Sequence, residues 1–464
     1  MPIPAAVETV LNEHHIAYGL TELPMFNENG ARMAQYVSWA GATRSVILAD
    51  AKGQLQTIIP ADSLLDLVAL NKLTGRNLRA VSSKHLKQIF DAKQLCSLPA
   101  IPQITGFPTV VDASVLNQPE VLLESGGDSG ILRLKQQDFK QILQGAVIAD
   151  ISAPMPVATY SSLEDDVEQI NHAVGQFTSI RIQQRLEDTL EFPPLPSTAQ
   201  RIIKLRVNPN SDIKDLSDIV EIDPSLAAQV VSWAASPYYA APGKIKSVHD
   251  AITRVLGFDL VMNLSLGLAL GKIMKLPDDA PVGFNGYWHQ SVYAAAIVEE
   301  LVKAIPAQQR PEMGMACLGG LLHNFGYLIL AEVFPPYFSQ VCRHLEANPH
   351  AGHAAIERHL IGIDRDQMSG WLMNLWTMPD EICTALRHQN NPNYDGPDFE
   401  YANLLFVASR LLKKYGLGDA PLEEIPAALF ERLHLSPESA QAAAENVIAC
   451  ADEIQNIANN IKTV

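Results

Sequence analysis

Three things are scarce in this 464-residue chain, and each scarcity closes off a class of function. Cysteine comes first: the five residues Cys96, Cys317, Cys342, Cys383 and Cys450 are scattered, and no two form a Cys-x-x-Cys. That excludes a disulfide framework or a zinc knuckle and predicts buried thiols in a reducing cytoplasm. Long apolar runs are missing too. Met262–Leu270 falls well short of the roughly 18 uninterrupted apolar residues a membrane helix needs. The opening Met1-Pro-Ile-Pro-Ala-Ala-Val-Glu has no basic start leading into an apolar stretch, so neither a membrane span nor a signal peptide is expected. Positive charge is the third shortage. Lysine and arginine number 34 against 51 acidic residues, for a net charge of −17. The deficit is uneven: residues 1–150 sum to −2 and the remainder to −15. Such a surface repels phosphate backbones and anionic lipid over the C-terminal two-thirds. One basic run, Lys72, Arg76, Arg79, Lys84, Lys87 and Lys93, lies in the first region, where a solvated helix face is the ordinary reading. No Gly-x-x-x-x-Gly-Lys, Gly-x-Gly-x-x-Gly or Gly-x-Ser-x-Gly motif is present, so a phosphate-cradling loop or a serine-hydrolase elbow has no sequence support.

What is present divides at a small-residue, proline-containing stretch, residues 145–162, whose composition suits a linker. Before it, helical spacing over Pro4–His15 gives way to β-rich runs at Ser45–Leu48 and Gln56–Ile59. Further strand-like runs are Thr109–Asp112, Val121–Glu124 and Ile131–Leu134, with a tight turn at Asp128-Ser-Gly. Asp62–Leu70 and Lys84–Phe90 read as helices, which predicts an α+β domain with a mixed sheet. After the linker the pattern is helical throughout. Ser161-Ser-Leu-Glu164 has capping-box spacing and opens a helix reaching about Leu190, and breaks fall at Pro193–Ser197, Asn208–Ser211, Asp223-Pro and Ser236-Pro. The most apolar part is Gly319–Leu330. Its Leu318, Leu322, Phe325 and Ile329 spacing predicts one buried helix, and its three glycines predict neighbouring backbones at close range. An Ala-rich helix near residue 440 is expected to pack back on this region or on a partner.

The first 145 residues resemble the YbaK-like aminoacyl-tRNA deacylase family through His15–Tyr18, Thr43–Leu48, Ile58–Asp62, Pro108–Asp112 and the Glu124-Ser-Gly-Gly127 turn. The resemblance implies a pocket at Arg44, Pro99 and Asp112. The family has a lysine where Arg44 stands, and arginine is a less compact donor. Its Gly-x-x-x-Pro loop falls at Leu95–Pro99 without the glycine. These departures argue for loss of the hydrolytic chemistry, and Asp112 could equally cap or bridge a strand end. The second region resembles the HDOD domain through Phe192–Ile203, Asp212–Ala227 and Ile245–Gly257, where Asp223-Pro224 starts a helix and Gly257 stops one that Ser247 caps. The resemblance implies an all-α fold. The expected division is a YbaK-like domain at 1–145, a linker and connecting helix at 146–190, an HDOD domain at 191–395 and a helical extension at 396–464.

Enzymatic relatives of the HDOD fold hold metal with a His, a His-Asp pair and a distant Asp. Carried over residue by residue, those positions are His289, His323 with Asn324, and Ser409, and two further ligand positions are Arg365 and His388-Gln389. Both carboxylates are absent, and Arg365 brings a permanent cation to where a cation would bind. We therefore expect no metal, no cofactor and no catalytic residue there. His289 and His323 read as hydrogen-bonded core histidines, while His344, His350, His353 and His359 read as surface residues. The function expected is a non-catalytic, cytoplasmic bacterial regulator that binds a protein partner or a small anionic ligand through a vestigial cleft. Two alternatives stand beside it: aminoacyl-tRNA deacylation by the first domain, the one place where nucleic acid (tRNA) would bind, and metal-dependent phosphohydrolysis by the second.

Overall fold

A computed structural model describes residues 3–22, 39–127, 130–156, 160, 162–184, 194–240, 243–273, 286–421 and 423–462. Asp128 and Ser129 of the expected turn, Ser161, Leu190, and Phe192 and Pro193 lie outside the described residues. The chain forms two compact units. One comprises residues 1–157 together with 339–360 and 421–424, and the other takes the rest.

The first unit is the α+β part. Its strands are β1 Tyr18–Glu22, β2 Thr43–Asp50, β3 Gly53–Pro60, β4 Ser63–Leu65, β5 Arg79–Ala80, β6 Thr109–Asp112, β7 Glu120–Glu124, β8 Gly130–Lys135, β9 Val147–Ala149 and β10 Ser152–Pro154. Its helices are α1 Ala5–Glu13, α2 Leu67–Thr74, α3 Ser83–Lys93, α4 Pro102–Thr105 and α5 Gln136–Ile142. The main sheet runs β5-β2-β3-β6-β9. It is mixed, since β2 and β3 pair antiparallel while β3–β6 and β6–β9 pair parallel. Successive side chains on a strand point to opposite faces, and that alternation builds two apolar layers. Ile58 and Val111 join one with Val7, Leu123 and Phe139, whereas Ile59 and Val110 join the other with Leu48 and Leu70. A three-stranded antiparallel sheet, β1-β8-β7, adds to the first layer. Asp62–Leu70 is not one helix. Ser63–Leu65 pairs with β10, and α2 begins after Asp66, whose carboxylate caps Val68 and Ala69. Of the cysteines, Cys317 and Cys342 are buried but Cys96 is exposed.

The second unit is helical. In order come α6 Leu163–Gln184, α7 Ser197–Arg206, α8 Ile213–Glu221, α9 Pro224–Ala234, α10 Val248–Ala251, α11 Phe258–Gly271, α12 Tyr287–Ala304 and α13 Met313–Leu322. Next are α14 Phe325–Val333, α15 Pro335–Ala347, α16 His353–Ile361, α17 Arg365–Leu375, α18 Asp380–His388, α19 Phe399–Lys414, α20 Ala427–Arg432, α21 Pro437–Ala449 and α22 Ala451–Lys462. Most of α15 and all but the last residue of α16 group with the first unit. Asp223 caps α9 with Pro224 in its first turn, and Ser247 caps α10. That helix continues as a π-turn until Gly257, whose φ of +81° ends it. The box opening α6 is one residue later than its sequence spacing, because Ser162 and Asp165 cap each other's amides. Helices α11, α12 and α13 are buried nearly all round, and α21 and α22 pack back against α12.

The apolar Met313–Val333 stretch is long and hydrophobic enough to cross a membrane by length and composition, a property the apolar-run criterion did not catch. It is almost wholly buried in the fold and breaks at His323-Asn324 into α13 and α14 rather than forming one helix. Two of its glycines are there for backbone contact. A Cβ on Gly320 would lie 2.7 Å from the Ala295 Cα, and one on Gly326 would lie 2.2 Å from the Arg365 carbonyl oxygen.

Candidate functional site

The break between α13 and α14 places Asn324 at the N-terminus of α14, beside the N-terminus of α17. Helix α17 starts where it does because Asp364 and Gln367 form a reciprocal capping box. Arg365 follows the cap directly and, despite its charge, is among the largest fully buried side chains. Its Nη1 donates to Asn324 Oδ1 at 2.9 Å and to Asp419 Oδ2 at 2.6 Å, and its guanidinium lies 5.1 Å from the Tyr327 ring centroid. Asn324 Nδ2 in turn donates to Gln290 Oε1 at 3.2 Å. The guanidinium is thus held by a carboxylate, an amide oxygen and an aromatic face. This is how a buried arginine is made tolerable.

A second chain of bonds starts one residue away on each side. Gln389 Nε2 donates to the His323 carbonyl at 2.8 Å and to Asp366 Oδ1 at 2.9 Å. Asn390 Nδ2 donates to the other oxygen of Asp366 at 2.7 Å, and Asn390 Oδ1 accepts from Arg410 Nη1 at 2.7 Å. Arg410 reaches Ser409 Oγ at 3.1 Å, and Ser409 donates to the Phe406 carbonyl. In the last turn of α18, Arg387 grips the buried Asp166 of α6 with two nitrogens, and Gln367 Nε2 adds a bond to the same carboxylate at 2.7 Å.

Of the six positions singled out in the sequence, five touch this network. Asn324, Arg365 and Ser409 lie in it through their side chains. His323 joins through its carbonyl, and His388 only through its neighbour Gln389. His323 donates Nδ1–H to the Gly320 carbonyl at 2.8 Å, which fixes its tautomer. Burial, partly opposed by that bond, holds its pKa below the usual imidazole range. His388 stacks on Tyr394 with centroids 3.9 Å apart, and burial and then the Arg387 charge push its pKa down to about 4. His289 rests against the Tyr293 ring at 4.7 Å, and burial lowers its pKa as well.

The donor set does not fit a metal ion. Asn324 offers a neutral carbonyl that already binds a guanidinium, and Ser409 accepts from another. No group of three or more His, Cys, Asp or Glu side chains suited to a metal occurs among the described residues. Asp166, Asp419, Asp366 and Gln290 were not foreseen. The only signal in the sequence was the polar density of Asp364-Arg-Asp-Gln367 inside an apolar region.

In the first unit, Pro99 lies beside the start of β2. Its carbonyl is 3.4 Å from Ser45 Oγ and 3.4 Å from Gln56 Nε2. Arg44 precedes Ser45 and pairs in register with Ile59. Asp112 is engaged elsewhere. Its Oδ2 accepts from the Ile151 and Ser152 amides at 2.8 and 2.7 Å, and its Oδ1 accepts from the Ser114 amide and hydroxyl. Burial alone would raise this carboxyl, but the bonds from Ser114 and Ile151 outweigh it and keep the pKa low. The histidines expected at the surface are not all there, since His344 and His353 are buried. Of the basic run, Arg76 pairs with Asp50.

Comparison with known proteins agrees with both halves of this geometry. Residues 192–392 match the HDOD domain and residues 29–142 match the aminoacyl-tRNA editing domain. The chain is 43% identical to a candidate signal transduction protein from Marinobacter aquaeolei VT8. The match covers 99% of this chain and 100% of that one, with a TM-score of 0.87. An HDOD domain protein from Geobacter sulfurreducens shares the fold at 20% identity, over 64% of this chain and 99% of that one, with a TM-score of 0.50. An uncharacterized protein of Treponema pallidum (strain Nichols) is 22% identical over 260 residues. That match takes in 55% of this chain and spans about half the length of the Treponema protein, 48%.

Proposed function

Since the chain belongs to the HDOD family and carries an editing-like domain ahead of its HDOD domain, we propose that it is a non-catalytic cytoplasmic regulator that binds a protein partner through the helical unit. The observation that carries this reading is the Arg365 clasp. A guanidinium bonded to Asn324 and Asp419 stands at a position that the family resemblance assigns to a metal ligand. A fixed cation there opposes a bound metal ion by several kcal/mol at reduced dielectric. A regulatory role also accords with the signal-transduction description of the Marinobacter relative.

A protein partner is favoured over a small anion. Arg365 and Arg387 already face the carboxylates of Asp419 and Asp166, and Arg410 donates to Asn390, itself bonded to Asp366. An anion would have to displace bonds that are already made. The test is to incubate the purified chain with excess iron, manganese, zinc and magnesium, desalt it, and measure retained metal and metal-dependent hydrolysis of a phosphodiester. We expect retention well below one equivalent per chain and no hydrolysis. Two tightly held ions with turnover would sink the reading.

Ester hydrolysis by the first unit is the weaker reading, because both oxygens of Asp112 are committed to main-chain and Ser114 donors. No turnover on a panel of mischarged tRNAs is expected. Hydrolysis abolished by Arg44→Ala would reverse that.

A further inference from the structure

The two partners of the clasp are separated in sequence by a segment that does not stay with them. Asn324 leads into α14 and Arg365 opens α17, and these two helices are packed so closely that Gly326 has no room for a Cβ. Yet Ser339–Leu360, lying between them in the chain, groups with the first unit. There three side chains seat it. Asn348 Oδ1 accepts the Leu65 amide at 2.7 Å and Asn348 Nδ2 donates to the Leu65 carbonyl at 3.1 Å, so one side chain satisfies both main-chain groups of a β4 residue. His344 donates Nδ1–H to the Gln340 carbonyl at 2.8 Å, which leaves Nε2 as the acceptor of the Leu67 amide at 3.3 Å. His350 donates Nε2–H to the Ser63 carbonyl at 3.0 Å. Ala347 completes the apolar layer under β2 and β3. Asn348 and His344 are buried, so the seat is built rather than incidental.

The hairpin therefore leaves from the C-terminal end of α14, the helix that Asn324 opens, anchors on β4, and returns through Gly362 to Arg365 at the start of α17. Gly362, with φ +83°, takes a conformation that other residues adopt only with strain. We propose that this hairpin is the arm through which the state of the first unit sets the Asn324–Arg365–Asp419 clasp. Whatever loosens the β4 seat frees the C-terminal end of α14 and the N-terminal end of α17, where Arg365 sits, and whatever opens the clasp loosens the seat, since coupling between sites is reciprocal. The biological use of the arm rests on the regulatory reading above; the coupling itself does not.

Hydrogen exchange on the full chain tests it. In Asn348→Ala the Leu65 and Leu67 amides should exchange faster. The Tyr327 and Gln367 amides, bonded to Asn324 O and Asp364 Oδ1, should follow by about tenfold, while α21 keeps its protection. Asp419→Asn should reverse the direction and expose Leu65 and Leu67. Seat amides that open while Tyr327 and Gln367 stay protected would overturn the proposal. So would acceleration spread evenly through α21, which would mark general destabilisation. Should Asn348→Ala not fold, Asn348→Gln displaces the amide by one methylene and carries the same outcomes. A chain whose clasp follows its seat but which engages no protein partner would refute the binding reading and leave the arm standing.

Discussion

Each unit has a buried aspartate put to a different purpose. In the first, Asp112 binds main-chain amides at Ser114, Ile151 and Ser152, and its bonds lie within about 40 residues of sequence. In the second, Asp166 binds the guanidinium of Arg387 across 221 positions, and Asp419 binds Arg365 across 54. An amide whose acceptor is removed is a neutral donor without a partner. A buried guanidinium whose acceptor is removed is a bare charge, and the penalty is larger. The helical unit is accordingly tied together around Arg365 and Arg387 by long-range ion pairs, whereas in the sheet unit Asp112 serves as a local brace.

The sharpest way to break this contrast is Asp166→Ala. Arg387 and Asp166 are both almost inaccessible to solvent, so we expect a loss of about 3–5 kcal/mol in urea unfolding. A paired Asp166→Ala, Arg387→Met chain should recover much of it, because the uncompensated charge is gone. A single substitution costing under about 1 kcal/mol would show that water reaches Arg387 and that the two units do not differ. Asp112→Asn comes next, at about 1–3 kcal/mol, since an amide cannot accept at both ends of the brace. Its pH dependence has a definite sign. The folded pKa lies below the unfolded value, so the charge contributes fully above about pH 4 and its contribution fades as pH falls through the lower folded value. Wild type should lose stability in that acid window faster than Asp112→Asn.

His388 supplies a smaller effect of the same sign in another window. Its folded pKa of about 4 lies below an unfolded value near 6.5, so the folded chain resists protonation between the two. Stability should decline as pH drops from about 6.5 toward 4, and His388→Gln should flatten that decline. Because the ring is only partly buried, solvent screening keeps the effect below that of the ion pairs. An unchanged slope in His388→Gln would assign the decline to other groups.

Much of this architecture could be read before the coordinates, and what could not has a common cause. Strand alternation, proline-led helix starts and the Ser247, Asp223 and Gly257 signals are local, and they held. The closeness demanded by Gly320 and Gly326 was also legible, because a helix keeps a glycine at a cost. The partners of Arg365 and Arg387 were not, because Asp419 and Asp166 look like ordinary solvated acids until tertiary structure delivers them. The buried histidines of the hairpin escaped for the same reason. His344, near the end of α15, and Asn348, just beyond it, are polar residues in a polar stretch, and only the main chain of Ser63–Leu67 gives them a role. The break at His323-Asn324 is hidden by an apolar pattern that would suit one continuous helix equally well.

The smallest effect lies in how the helices stop. In the first unit α2 and α4 end on left-handed glycines, Gly75 and Gly106. In the helical unit α17 ends on Thr377, at φ +58°, with its amide on the Asn374 carbonyl at 2.9 Å and the Met378 amide on the Met373 carbonyl at 3.0 Å. That is a Schellman ending with a β-branched residue where glycine or asparagine belongs, and Met373 and Met378 are both buried in it. Left-handed backbone costs a β-branched residue about 1–2 kcal/mol, and asparagine much less. Thr377→Asn should therefore raise stability by about 0.5–1 kcal/mol without touching the core, since the threonine side chain is exposed. Thr377→Gly should gain less, because its freer unfolded chain offsets part of the relief. A destabilised Thr377→Asn would mean that the threonine side chain itself holds the loop before α18, and that this helix end is built for something other than stopping.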